Sequence, residues 1–173
     1  MTISLYDATV LTYTQTLGAL DRILKRGAAH CSEHGQNVEE LVELRLFPDM
    51  LPFRYQVLAT ITHSLGALDG VRSGMFTPNT TKGSHDYAAL QAAVSEALDA
   101  LGKVSADEVN ALADRDMFFQ TGDVKLPFTG GDFLLTFSLP NFYFHGSIAY
   151  GLLRSKGVPL GKRDFLGRMR IKR

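Results

Sequence analysis

The segment Ser138–Gly167, with the sequence SLPNFYFHGSIAYGLLRSKGVPLGKRDFLG, sets the expected architecture of this chain. Pro140 either begins or bends a helix there, because its ring fixes φ and it has no N–H to donate to the preceding turn. Apolar residues then cover nearly every side of that helix: Phe142, Tyr143, Phe144, Ile148, Tyr150, Leu152 and Leu153. A helix that is apolar on all sides lies in the interior of a fold. We therefore expect a central helix here.

Two polar residues interrupt this apolar helix. Asn141 and His145 lie four residues apart, so their side chains leave the same helical face. A histidine inside such a helix is either a hydrogen-bonded core residue or part of a binding site. The spacing alone leaves both interpretations open.

The composition predicts a single globular domain over residues 1–173. Apolar residues make up 45% of the chain and aromatic residues 10%, which is ordinary for a protein with a hydrophobic core. Lysine plus arginine and aspartate plus glutamate both number 18, so the net charge does not draw the chain to nucleic acid or to anionic lipid. We therefore expect no nucleic-acid partner.

The cysteine content and the hydropathy indicate a cytoplasmic protein. Cys31 is the sole cysteine, so no internal disulfide can form and an oxidising compartment is not implied. The opening residues MTISLYDATV lack the basic and apolar regions of a signal peptide, and no apolar run has the length of a membrane span. We expect a cytoplasmic location and no membrane partner.

Four long stretches carry apolar residues at helical spacing between start and stop signals. The predicted helices are 4–26, capped by Ser4 with Asp7 and ended by Gly27; 52–74, beginning at Pro52; 85–102, capped by Ser84 or Asp86; and 132–156, capped by Asp132. Four long helices joined by sizeable connections predict an all-α four-helix bundle, with sites between facing helices.

The connections include one predicted β-hairpin just before the last helix. Residues 117–120 and 124–126 flank Thr121-Gly122-Asp123, a sequence typical of a tight turn. Because an isolated hairpin is only marginally stable, it must pack against the helices. Residues 74–83 are predicted to form a loop, and a short helix is predicted from Asn37 through Leu46.

Residues 28–36 contain three side chains of metal-ligating type, His30, Cys31 and His34. Thiolate and imidazole sites normally need a fourth ligand and a rigid frame. We therefore favour an exposed loop over a metal site for this segment.

His63 lies on the second predicted helix, nearly opposite an apolar face formed by Val57, Ile61, Leu65 and Leu68. Its own side of the helix carries mostly small residues, namely Gln56, Ala59, Gly66, Ala67 and Gly70. Such a band indicates a second packed surface that would partly enclose His63. The alternative is a surface histidine on a crowded helix, and the sequence leaves both open.

Residues 161–167 are predicted to fold back onto the bundle rather than trail from it. Phe165 and Leu166 need burial, and Lys162, Arg163 and Asp164 can hydrogen-bond helix ends. A flexible basic terminus is the alternative, and we favour it only after Gly167.

Two groups of residues resemble motifs of one bacterial family in the DinB/YfiT-like superfamily. The first is RLFPDMLPF at residues 45–53, followed by Gln56, and the second is PNFYFH at 140–145 with GKRDFLG at 161–167. The resemblance covers most of the chain. Members of that family are largely of unknown function, so the resemblance implies a fold without an activity.

The superfamily resemblance implies an up-down-down-up four-helix bundle that forms a homodimer. Many members bind a divalent metal through three histidines, one on the second helix and two spaced four apart on the last. His63 matches the first histidine and His145 one of the pair, whereas Asn141 stands where the other is expected. An amide carbonyl is a weaker donor than imidazole, so the resemblance implies a degenerate site that binds Zn, Ni or Fe weakly.

Two functional hypotheses follow, and the sequence leaves open whether the protein is an enzyme. The first is a metal-dependent hydrolase or transferase with His63, Asn141 and His145 as ligands, oriented by Gln56 and Tyr150. No catalytic acid, base or nucleophile is identified. The alternative is a non-catalytic dimeric bundle that holds a small apolar ligand under the aromatic-rich last helix. A DNA-associated role rests only on the superfamily's name, and the balanced charge argues against it.

Overall fold

A computed structural model describes residues 3–78 and 85–172, which are mostly helical (64%) with a small sheet. These residues form six helices, which we label in chain order. They are α1 (Leu5–Ala8 and Val10–Glu33, interrupted at Thr9), α2 (Phe53–Ile61, the π-helical segment Thr62–Gly66, and Ala67–Ser73), α3 (Tyr87–Leu101), α4 (Ala106–Ala111), α5 (Gly130–Asp132, the π-helical segment Phe133–Ser138, and Leu139–Ser155) and α6 (Lys162–Leu166). In the same described ranges, no helix is both long and apolar enough to cross a membrane.

The four long helices pack side by side, with α1 and α2 each contacting both α3 and α5. Their apolar faces form the core, which includes two series at helical spacing, Val10, Tyr13, Leu17, Leu20 and Leu24 on α1 and Tyr87, Leu90, Val94, Ala97 and Leu101 on α3. A mostly helical fold is therefore confirmed. The prediction of four helices is too simple, because α4 and α6 are additional, and the up-down-down-up order stays a prediction.

Local capping signals located the starts of the first three long helices. Asp7 N donates to Ser4 Oγ (3.1 Å) and Ser4 N donates to Asp7 Oδ2 (3.2 Å), which is the predicted capping box. Pro52 immediately precedes α2. Asp86 accepts a hydrogen bond of 2.7 Å from the first turn of α3, whereas the other predicted cap, Ser84, lies outside the described residues.

The start of α5 differs from the prediction. Thr129, not Asp132, is the cap, since Asp132 N donates to Thr129 Oγ1 at 3.2 Å. The preceding strand ends at Thr129, so the chain passes directly from strand to helix without the loop that a cap at Asp132 requires.

The end of α1 also differs, because the helix continues six residues past Gly27 to Glu33. Gly27 is buried where the hydroxyl of Tyr87 reaches the helix and donates to Leu24 O (2.9 Å). A Cβ at Gly27 would overlap that hydroxyl. The glycine therefore permits close approach of α3 and is not a stop signal. Residues 28–33, predicted as loop, are helical, and Cys31 among them is buried in the core.

The predicted short helix after Asn37 is also shorter than expected. Asn37 Oδ1 accepts from Glu39 N (3.1 Å), as predicted for a cap, but only a 3₁₀ segment, Val38–Leu41, follows.

The predicted hairpin is present and belongs to a three-stranded sheet. Strands β2 (Asp116–Thr121) and β3 (Val124–Thr129) pair antiparallel around a turn in which Gly122 has φ +53°. A third strand, β1 (Met75–Phe76), pairs parallel to β2. Two residues are too few for an alternating pattern, so the sequence predicts a loop over 74–83 where β1 forms; residues 79–83 lie outside the described residues.

Residues 161–167 dock on α1, as predicted. Arg26 Nη1 lies 2.5 Å from Asp164 Oδ1, and Gln15 Nε2 donates to Leu166 O at 2.8 Å. Gly167 has φ +64° and fits tightly against the helix, because a Cβ there would lie 3.0 Å from that of Ala19. Of the three residues predicted to make polar contacts, Asp164 accepts from Arg26, whereas the bond to Leu166 O is donated by Gln15 of α1.

Candidate functional site

Two π-helical segments meet at the centre of the bundle. One contains His63 on α2, and the other ends at Ser138 on α5. Ser138 Oγ donates to His63 O (2.6 Å) and therefore accepts from the hydroxyl of Tyr13 (3.1 Å). π-helical turns are rare and occur frequently at functional sites. This hydrogen-bonded chain joins three helices and fixes the backbone from which His63 projects.

Pro140 gives a physical reason for the widened turns of α5. Inside a regular helix its ring would collide with the carbonyl four residues earlier, at Thr136, and it has no N–H to donate. The π-helical segment Phe133–Ser138 lies directly before it, so α5 passes through Pro140 without ending. The prediction of a last helix that is bent or interrupted there is consistent with this geometry.

The structure brings His63 and His145 together. Their ring centroids are 5.7 Å apart, and the ring planes are nearly parallel, with an angle of 12° between them. His63 is 6% exposed, and its small neighbours Ala59, Ala67 and Gly70 are buried with it. Of the two interpretations of His63, the enclosed one is therefore correct.

Gln56 fixes the orientation of the His145 ring. Its amide nitrogen donates to Leu51 O (2.9 Å), so its oxygen faces His145 Nδ1, also at 2.9 Å. An amide oxygen only accepts, so Nδ1 carries the proton and the neutral ring has its lone pair on Nε2. The ring of Tyr55 packs edge-on against His145, with centroids 5.7 Å apart. The orienting role predicted for Gln56 is thus supported by a direct hydrogen bond to His145.

His63 Nδ1 is buried and has no hydrogen-bond partner among the residues that the structure describes. The rings of Phe76 and Phe137 flank His63, with centroids 5.6 and 5.8 Å from its own. Nearly all buried polar atoms in proteins are paired, and an exception indicates a strained group or a missing ligand. His63 Nδ1 is therefore the atom of this site that most needs a partner.

Both imidazoles are neutral near pH 7. Burial, with a smaller contribution from His145, lowers the pKa of His63 to about 4, and burial lowers the pKa of His145 to about 4 as well. Neutral imidazole can ligate a metal or accept a hydrogen bond, whereas the protonated ring can do neither.

Asn141 is not joined to either histidine by any described contact. It is partly buried, and its amide nitrogen donates to Phe137 O (2.8 Å) within its own helix. Tyr150, the other predicted orienting residue, packs against Phe165 with ring centroids 5.8 Å apart. Over the described ranges, no three residues of His, Cys, Asp or Glu are grouped as a metal site requires. The donors that the structure assembles are therefore the two imidazoles.

A surface groove of about 470 Å³ lies on the outer side of α5. Its lining is mostly apolar and consists of Leu46, Pro140, Tyr143, Phe144, Ser147, Ile148 and Gly151. Phe144, which is 58% exposed, also contacts the ring of His145, with centroids 5.2 Å apart. The groove is thus adjacent to the histidine pair.

Sequence reasoning missed Tyr13, Ser138 and Tyr55 as parts of this region. The first two act through contacts to residues more than seventy positions away, which no local pattern reports. Pro140 was the one local signal of unusual helix geometry near Ser138.

Comparison with known proteins gives a family and a fold. Residues 5–166 match the family described as "Domain of unknown function (DUF1993)". The crystal structure of a DinB family member protein from Shewanella denitrificans is 27% identical, with a TM-score of 0.79 over 98% of this chain and 95% of that one. No curated protein matches the chain. The predicted DinB-like resemblance is thereby confirmed, and neither the description of the family nor that of the crystal structure names an activity.

Proposed function

We propose that this chain, which belongs to the DUF1993 family of unknown function, binds a divalent transition metal weakly between His63 and His145. The observation that supports this is the pairing of two neutral imidazoles whose centroids are 5.7 Å apart. A metal–nitrogen bond of about 2 Å puts the ion roughly 3 Å from a ring centre, so the separation of the rings fits one shared ion. Because each lone pair lies in its ring plane, the two nearly parallel rings must turn until both lone pairs point at that ion.

The donor set fits a weak site. Gln56 holds the proton on His145 Nδ1 and leaves Nε2 free, and His63 Nδ1 lacks a partner. Hydrogen bonds of this kind keep a ligating imidazole in the right tautomer. The Asn141 amide nitrogen is bound to Phe137 O, so a third protein ligand requires its oxygen to turn towards the histidines. We therefore expect zinc, nickel or iron to bind with open coordination positions.

A hydrolase or transferase is the reaction class we propose if the site is catalytic. A metal with open positions would supply Lewis-acid chemistry or an activated water. The chain's own residues would hold the tautomer of His145 through Gln56 and exclude bulk water through Phe76 and Phe137. Cytoplasmic location, like the reaction class, stays a proposal.

Metal titration of the untagged protein tests this proposal. We would measure zinc binding by calorimetry in the His30→Gln/His34→Gln background, which removes the two histidines at the carboxyl end of α1. One equivalent should bind, and either His63→Gln or His145→Gln should abolish that binding. Tyr55→Phe is the matched control for His145→Gln, because it changes a neighbour of His145 but keeps the aromatic ring packed against it, and it should leave zinc binding unchanged. Equal zinc binding before and after loss of both interior histidines would refute the site.

The groove beside Phe144 favours a second candidate function, the binding of a small apolar ligand without catalysis. Its size is that of a ligand pocket, and its lining is mostly apolar. Ser147→Trp would fill the groove from an exposed position, and it should abolish binding of an apolar fluorescent probe while leaving zinc affinity unchanged. Probe binding that survives this substitution would contradict the candidate.

The predicted homodimer stays a proposal that is based on the family resemblance. Exposed apolar side chains near the groove, namely Leu46, Phe47, Leu51 and Phe144, are consistent with a covered face. Light scattering across micromolar concentrations should give a mass of two chains. A mass of one chain over that whole range would rule the dimer out.

A further inference from the structure

A second pair of histidines lies on the surface, at the carboxyl end of α1. His30 and His34 are four residues apart, and their ring centroids are 4.2 Å apart with the planes tilted by 38°. Helical side chains at this spacing lie on one side of the helix, so two imidazoles can reach the same ion. This pair is distinct from the interior pair, His63 and His145.

The ring of His34 is already oriented for ligation. Its Nδ1 lies 2.8 Å from the backbone oxygen of His30. A carbonyl oxygen only accepts, so Nδ1 carries the proton and the lone pair of the neutral ring is on Nε2. A hydrogen bond from the second ring nitrogen to a backbone carbonyl is the usual arrangement of a metal-ligating histidine.

One nitrogen of the His30 ring lies near the backbone of Gly157. A Cβ added at Gly157 would lie 3.7 Å from His30 Nε2, which is an ordinary van der Waals distance. Gly157 has φ +87°, so a glycine is also required there by the backbone conformation. The His30 side chain is partly buried, whereas His34 is exposed. Ions in solvent can therefore reach the pair from the side of His34.

The helix itself favours a cation at this place. The segment Val10–Glu33 has 24 residues, and His34 is the C-cap residue that follows it. The last carbonyl groups of a helix carry a partial negative charge, which adds up to roughly half an elementary charge over the helix end. A bound dication at His30 and His34 lies beside these carbonyls.

The thiol between the two histidines points away from them. Cys31 is 2% exposed and packs in the hydrophobic core. Burial, with a smaller contribution from Glu40, raises the pKa of this thiol, so it stays protonated and is a poor ligand. Of the three side chains of metal-ligating type in this segment, the two histidines therefore remain as candidate ligands.

We propose that His30 and His34 form a surface chelate for a borderline divalent metal, with copper bound most tightly, then nickel or zinc. The remaining coordination positions are open to water or to a donor on another molecule. This inference does not depend on the interior site, because the two pairs lie on different helices and share no residue.

Copper titration followed by electron paramagnetic resonance tests the proposal. The untagged protein should bind Cu²⁺ and show superhyperfine coupling to two ligand nitrogens. His30→Gln and His34→Gln should each weaken copper binding by at least about tenfold. Both variants change exposed or partly exposed side chains, so folding can be checked by their unchanged melting temperature. Affinity that is unchanged in both variants would overturn the proposal.

Two comparisons separate the surface pair from other ligands. Cys31→Ser should leave the copper affinity unchanged, and an equal loss in that variant would show that the thiol holds the ion, which overturns the proposal. The His63→Gln/His145→Gln protein should retain the two-nitrogen signal. Loss of that signal in a folded protein would assign the copper to the interior pair and would equally overturn it.

Discussion

The hydrogen bond from His145 Nδ1 to Gln56 Oε1 gives a prediction that can be tested by both stability and spectroscopy. Gln56→Leu preserves most of the side-chain volume while it removes the acceptor for His145 and the donor to Leu51 O. The expected effects are a lower free energy of unfolding and a change in the tautomer of His145.

The size of the stability loss follows from burial. Gln56 is 3% exposed, so the N–H of His145 loses a partner that water cannot readily replace, which costs about 1–3 kcal/mol. Leu51 is 47% exposed, so its carbonyl can turn to water, and losing that bond costs less. Leucine gains some free energy from its own burial. We expect the free energy of unfolding to fall by about 2 kcal/mol.

Two measurements check this expectation on chelator-treated protein at pH 7.5. Urea unfolding gives the stability difference, and long-range ¹H–¹⁵N correlation spectra give the tautomer of His145. The wild type should show the proton on Nδ1, and the variant should move it towards Nε2. Gln36→Leu is the matched control, since Gln36 is exposed and its side chain should leave both measurements unchanged.

Two results would refute the reasoning. A proton on Nε2 of His145 in the wild type would show that the amide of Gln56 is reversed. An unchanged tautomer together with unchanged stability in Gln56→Leu would show that this hydrogen bond does not orient the ring.

Three further predictions concern pH, packing and metal affinity. Burial holds the pKa of His63 at about 4 in the folded state, whereas the pKa of a histidine in the unfolded chain is about 6.5, so the unfolded state takes up the proton first as the pH falls. The free energy of unfolding should therefore be unaffected above pH 6.5 and should fall as the pH drops towards 4, by about 2 kcal/mol at pH 5 from His63 alone. Chelator-treated His63→Phe should lose that part of the pH dependence in urea unfolding, and a pH profile identical to the wild type would contradict the assignment. Gly27→Ala should destabilise the fold by about 1–3 kcal/mol, since its Cβ displaces the buried hydroxyl of Tyr87. The matched Gly151→Ala, inside α5 with open space around its Cβ, should instead stabilise the fold by about 0.5–1 kcal/mol, because alanine is the better helix former, and thermal unfolding compares the two. Asn141→His should raise zinc affinity at least about tenfold by adding an imidazole one turn from His145, and calorimetry that shows no gain would count against the interior metal site.

The positions of the long helices could be predicted from the sequence, because the signals are local. The capping box of Ser4 and Asp7 acts over three residues, and the buried series on α1 and α3 repeat every three or four residues. Such interactions are nearly independent of the rest of the fold. The tight turn at Gly122 is of the same kind, since its positive φ is a property of the turn alone.

Helix ends that depend on distant residues could not be predicted in this way. Gly27 has the local features of a stop signal, yet α1 continues past it, and the glycine instead makes room for Tyr87, sixty residues later. β1 forms because β2, some forty residues away, offers it an edge. In each case a long-range contact outweighs a local preference of about 1 kcal/mol.

The same division holds for the candidate site. Residue types and the resemblance named His63, Asn141 and His145, and they suggested Gln56 as an orienting group. Only the tertiary structure decided that His63 faces inward, that Asn141 donates within its own helix, and that Ser138 supports the backbone at His63 from α5. Side-chain direction in a π-helical turn depends on the helices packed around it, and that packing is a property of the whole chain rather than of any short segment.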